Sequence, residues 1–265
     1  VLAILISISA CAKVAWQQHM TAGREAYQKG QYAKAEQSFQ AALKEAETFG
    51  PADVRLASTL HNLARVYHAR GKPAQAEPLF KRALASKEKA LGPEHPTVAV
   101  TLNSLAELYR AQGRFAEAEP LYERRLTIVG KVLGPDDPRV ARALNNLAAV
   151  YRAQGEHAKA EPLYERALAI QEKALGPEHP AVARTLNDLA AVYGAQGQYA
   201  QAEPLYKRAL GIAEKALGSE HPAMATILEN YSVLLLNTNR ADEAAEVWDR
   251  AKAIRAKHGK QKPGK

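Results

Sequence analysis

Cysteine is almost missing from this chain. Cys11 is the only one in 265 residues, so no disulfide can form within the molecule. Aromatic side chains are scarce at 6%, yet an apolar content of 47% is ample for a packed core. The apolar run at the start, Val1 to Cys11, is too short to span a bilayer. There is no glycine-rich phosphate loop, no H-E-x-x-H, and no Ser/His/Asp set outside a repeated pattern. These absences exclude the usual nucleotide, zinc-protease and triad chemistries. No enzyme, cofactor or metal site is expected.

A one-sided charge is also less general than it looks. The net charge is +8, but Lys252, Arg255, Lys257, Lys260, Lys262 and Lys265 crowd residues 252–265 without an acid. Removing those six from the +8 leaves +2 for residues 1–251. The tail sets the basicity, and residues 259–265 are expected to be disordered. Binding of anionic lipid or nucleic acid by that tail is one alternative function; for the body no nucleic acid is expected.

What is present is a 42-residue repeat. Thr59-Leu60, Thr101-Leu102, Ala143-Leu144, Thr185-Leu186 and Ile227-Leu228 open successive copies. A period of this length signals a solenoid, whose units bury their apolar faces only by stacking. In the copy from Thr59, Leu60, Leu63, Ala64 and Tyr67 form one helical stripe (helix A). Gly71 ends it, and Ala76, Leu79, Phe80, Ala83 and Leu84 form a second stripe, helix B. Gly113, Gly155 and Gly197 recur at the break, with Asn239 in the last copy; glycine and asparagine tolerate the left-handed conformation that stops a helix. Small residues at 64, 76 and 83 let two helices approach, while Tyr67 and Phe80 fill the space beside them. Helix B stops at Gly92-Pro93-Glu94-His95-Pro96, and Pro96 suits the first turn of the next helix. Pro78, Pro120, Pro162 and Pro204 fall early in helix B, where a slight bend but no break is expected.

Leu60-x2-Leu63-Ala64-x2-Tyr67 followed by Ala76-x3-Phe80-x2-Ala83 resembles the tetratricopeptide pattern. The phrases Ala-Glu-Pro-Leu-Tyr-Glu-Arg-Ala-Leu and Leu-Gly-Pro-Glu-His-Pro are similar to repeats of kinesin light chains and their bacterial relatives. The resemblance implies an all-α, right-handed solenoid of six helix-turn-helix repeats: 17–58, 59–100, 101–142, 143–184, 185–226 and a degenerate cap at 227–258. Near the start, Ile8-Ser9-Ala10-Cys11 resembles a bacterial lipobox, which would make residues 1–11 an incomplete lipoprotein signal and Cys11 the lipidated residue. A cell-envelope location on the outer-membrane or periplasmic side follows from that resemblance. If the segment is an ordinary apolar helix, the location is cytoplasmic.

In tetratricopeptide arrays helix A lines the binding groove. Beside the core stripe, a second stripe spaced 3, 4 and 3 runs through Ser58, His61, Arg65 and His68, then Val100, Asn103, Glu107 and Arg110. It continues as Arg142, Asn145, Ala149 and Arg152, then Arg184, Asn187, Ala191 and Gly194, with Arg24 in the first repeat. The arginines, Arg24, Arg65, Arg110, Arg142, Arg152 and Arg184, suit carboxylates. Asn103, Asn145 and Asn187 could pair with the main chain of an extended peptide. The candidate site is these residues with His61, and the expected partner is a protein segment rich in acids. The same stripe can also be solvated surface, or bond to adjacent helices. A self-associating structural component of an envelope assembly is the other alternative. His95, His179 and His221 recur in the turns but sit on packed helix pairs at least ~8–10 Å apart, too far to share a metal. They are read as structural, and Tyr67, Tyr109, Tyr151 and Tyr193 as core.

Overall fold

The computed structural model describes the backbone of residues 2–259 and the side chains of residues 11–258. Among the described residues there are helices and no strands. They run α1 (Leu2–Gln28), α2 (Tyr32–Glu47), α3 (Val54–Ala69), α4 (Pro73–Leu91), α5 (Pro96–Ala111) and α6 (Phe115–Leu133). Then follow α7 (Pro138–Ala153), α8 (His157–Leu175), α9 (Pro180–Ala195), α10 (Tyr199–Leu217), α11 (Pro222–Asn237) and α12 (Ala241–Gly259). These are six helix pairs, three in each of two compact units, residues 1–132 and 133–265. No described helix is long and apolar enough to cross a membrane. Gly259, expected in the disordered tail, instead ends α12, and the rest of that tail, residues 260–265, lies outside the described residues, as do the side chains of the lipobox before Cys11.

Capping fixes where each pair begins. Asp53 accepts a hydrogen bond from Arg55 N, and Asp137 from Arg139 N. At the equivalent places His95, His179 and His221 use ring Nδ1 to accept from Thr97 N, Ala181 N and Ala223 N, at 3.1–3.2 Å. An imidazole ring nitrogen thus does what an aspartate oxygen does elsewhere, and the recurrent Glu-His-Pro turn is a cap followed by proline at the first helical position. The helices therefore open five residues before Thr59, Thr101 and their counterparts, so the repeat bounds read from the sequence cut through helix A. Helix B passes through Pro78, Pro120, Pro162 and Pro204 without a break. Gly71 ends its helix at φ +67°, and Asn239 takes the same role at φ +59°.

In residues 1–132, Ala64, Ala76, Ala83 and Phe80 are fully buried, as are Ala35, Ala42 and Phe39 in the first pair. Gly23 replaces the alanine of the later repeats for a steric reason: a Cβ there would lie 2.6 Å from Phe39 Cε1. In residues 133–265, Tyr164 and Tyr206 take the place of Phe80, and Ala148, Ala160, Ala167 and Ala190 are fully buried. Tyr109, Tyr193 and Tyr231 are buried to the ring edge and donate their hydroxyls to Glu77, Glu165 and Glu203 on the preceding helix B.

Candidate functional site

Many charges on the second helices and in the turns are paired internally. In residues 1–132, Arg82 pairs with Glu47, Arg124 with Glu88, Lys131 with Glu94, and Arg114 with Glu77. In residues 133–265, Arg208 pairs with Glu172, Arg250 with Glu214, Arg240 with Glu203, and Lys173, Lys215 and Lys257 with Asp136, Glu178 and Glu220. Each pair joins one repeat to the next at a separation of 35–37 residues, so the ladder is a product of the period. The cations hold Glu77 and Glu203 down to about 2.

The helix A arginines behave differently. Arg24, Arg65 and Arg110 on α1, α3 and α5 are exposed, as are Arg142 and Arg184 on α7 and α9. None of the five forms an ion pair among the described residues. Arg65 lies over the Tyr27 ring at 4.6 Å, which holds its guanidinium in place without cancelling its charge. Of the acids on these faces, Glu107 accepts from Asn103 Nδ2 at 2.9 Å, and Glu229 is held by Arg255 of α12 at 2.8 Å and below its usual pKa. Arg152 is the exception: half-buried, it faces Asp188 at 3.6 Å. It is partly neutralised.

Two of the residues expected on an open surface are not there. His61 is 7% exposed, with its ring edge-on to Phe80 and Nδ1 3.3 Å from Thr101 Oγ1. Burial, with Lys87 and Arg65 nearby, pushes its pKa down to about 3, so it is a neutral core histidine. Asn187 is buried and accepts from Asn230 Nδ2 at 3.0 Å. Asn145 is half-buried and donates to Thr185 Oγ1 at 2.7 Å. The column of His61, Asn145 and Asn187 therefore turns toward the next repeat, where it satisfies a buried hydroxyl or amide. These three side chains join repeats, while Asn103, the remaining member of the column, is half-buried and donates to Glu107 on its own helix.

The stretch of sequence that signals this arrangement is the threonine column. Thr59, Thr101 and Thr185 are fully buried and each collects a partner from the repeat before it. Thr59 Oγ1 accepts from Trp16 Nε1 at 2.8 Å, Thr101 Oγ1 from Lys87 Nζ at 2.8 Å, and Thr185 Oγ1 donates to Gln171 Oε1 at 2.8 Å. Lys87 and Gln171 were not singled out by the sequence reading. The neighbouring column, Asn62, Asn146, Asp188 and Asn230, is half-buried and was missed as well. Among the described residues no cluster of His, Cys, Asp and Glu could hold a metal ion. Cys11 is exposed on α1.

The tetratricopeptide repeat family profile matches residues 25–89, 57–131, 97–173, 139–215 and 189–257. A crystal structure of a Podosopora anserina putative kinesin light chain with nearly identical TPR-like repeats is 33% identical, covering 81% of this chain and 99% of that one, with a TM-score of 0.65. Two solved structures at 22% identity share the fold. BtubC (BKLC) from P. vanneervenii has a TM-score of 0.67 over 96% of this chain and 94% of its own. The Pseudomonas aeruginosa pilF protein has one of 0.60 over 89% and 90%. No match is found among the curated proteins. With six helix pairs, a 42-residue period and these matches, the chain belongs to the tetratricopeptide repeat family and is of the kinesin-light-chain-like kind.

Proposed function

We propose that this protein is a non-catalytic adaptor whose helix A faces receive an extended, acid-rich segment of a partner protein. Tetratricopeptide arrays generally mediate protein interactions, and the charge distribution supplies the finer reading. The observation that carries it is the split between paired and unpaired cations. On the second helices the cations named above meet an acid of a neighbouring repeat; on α1, α3, α5, α7 and α9 five exposed arginines meet none. Planar guanidinium groups kept free of acids are suited to bidentate carboxylate recognition. The binding residues of this reading are Arg24, Arg65 and Arg110 within residues 1–132, and Arg142 and Arg184 within residues 133–265. Titration of labelled Glu/Asp-rich and Lys/Arg-rich peptides of equal length tests it. Only the acidic peptide should bind, and salt should weaken it steeply; equal binding of both overturns the reading.

Attachment to a membrane through a lipid on Cys11, and hence an envelope location, completes the proposal. It is supported by the Ile8-Ser9-Ala10-Cys11 sequence and by the exposure of Cys11. Labelling cells with an alkyne fatty acid should mark the wild-type protein and not Cys11→Ser; equal labelling of both sinks this part. Self-association is the second reading, favoured by Trp248. Its counterparts Phe80, Tyr122, Tyr164 and Tyr206 are buried, whereas Trp248 is 46% exposed. Light scattering that shows a monomer at all concentrations removes it. For the tail, deletion of residues 259–265 should leave peptide affinity unchanged.

A further inference from the structure

In residues 133–265 the helix A face is not uniform. Where repeat four carries Arg152, repeat five carries Gly194, and Ala191 precedes it by three residues. Between α9 and α11 these small residues open a pocket of about 220 Å³, lined by Ala191, Gly194, Tyr206, Asn230, Val233 and Asn237, among others. Glycine inside a helix is destabilising relative to alanine, and no close neighbour requires it here. Gly194 has no positive φ, and a Cβ built on it meets no atom within 4 Å. Val233 on the opposite wall is 53% exposed. Asn230 spends its amide donor on Asn187 Oδ1, which leaves its own carbonyl oxygen as an acceptor beside the pocket.

We infer that this pocket takes an aliphatic side chain of leucine size from the same partner segment whose acids meet Arg142 and Arg184. The inference rests on the acidic-segment reading and adds a specificity site to it. Charge complementarity identifies the occupant: the exposed unpaired groups on α7 and α9 are cations, so an apolar anchor arriving here belongs to a chain that carries acids. The geometry also sets the spacing. Arg184 precedes Gly194 by ten residues on one helix, a rise of about 15 Å. An extended chain covers that in about four or five residues. The partner motif is thus an acidic cluster with an aliphatic residue about four or five positions away.

The test uses labelled acidic peptides carrying Gly, Ala, Leu or Trp at one, four, five or eight positions from the acids, titrated into the full chain. Leucine at four or five should bind about tenfold more tightly than glycine, the scale expected for filling a small apolar pocket. Gly194→Leu fills the pocket from within, should leave the melting temperature unchanged or higher, and should bring the leucine and glycine peptides within about twofold. Val233→Asp, at an exposed position, should do the same. A leucine advantage that survives both variants, or no advantage at any spacing, overturns the pocket while salt-sensitive binding of the glycine peptide leaves the acidic reading standing. Binding of no peptide at all overturns both.

Discussion

His179 shows how far one side chain can depart from its customary duties. Its ring nitrogen takes the N–H of Ala181 and so starts α9, as Asp137 starts α7. Changing His179 to Ala should cost about 1 kcal/mol in urea unfolding, whereas His179→Asp should cost little. Gly23 is governed by the opposite constraint, a lack of room. Gly23→Ala gains helix propensity but drives a methyl into the buried Phe39 ring, so thermal melting should fall despite the gain. A melting point that rises would contradict the packing described for the first helix pair. The buried trio of Lys87, Thr101 and His61 makes a pH prediction. It faces Arg65 on α3, and Lys87 forms no ion pair among the described residues; burial lowers the Lys87 pKa to about 8, while that of His61 falls to about 3. Between pH 6.5 and 3 the unfolded chain binds a proton that folded His61 refuses, so stability falls with acid. Between about pH 8 and 10.5 the unfolded chain holds a proton that folded Lys87 has lost, so stability rises. Lys87→Gln should flatten the alkaline rise; an unaltered profile would contradict the assignment.

The helices were legible because period, apolar stripe and stop signals agree. Leu60, Leu63 and Tyr67 define helix A, and Gly71 and Pro96 bound its neighbours, as the structure shows. The direction of each polar stripe was less legible. One residue turns the helix by about 100°, so a column beside the core can face solvent or the next repeat, and polarity alone does not decide which. Asn145 and Asn187 face the next repeat because Thr185 and Asn230 are there to receive them. A buried threonine column in the sequence was the available clue. These joints should be sensitive. Thr185→Val removes the partner of both Asn145 and Gln171 and should destabilise by about 1–3 kcal/mol. The exposed ladder pairs should behave otherwise: Lys215→Ala should change stability by under about 1 kcal/mol.

Across the molecule, the same 42-residue translation does two things at once. It sets acid against base between one repeat and the next, and it leaves Arg24, Arg65, Arg110, Arg142 and Arg184 on the first helices without an ion pair among the described residues. That separation leaves a nearly neutral body with unpaired positive charge on its first helices, which net charge could not reveal. In the function proposed above, the location of charge and not its total governs the partner. Affinity for one labelled acidic peptide, compared between Arg142→Ala/Arg184→Ala and Lys173→Ala/Lys215→Ala, tests it, since both pairs of changes remove two positive charges. Loss of about tenfold or more in the arginine variant, with the lysine variant near wild type, is the predicted result. Equal losses in both, or none in the arginine variant, would contradict it.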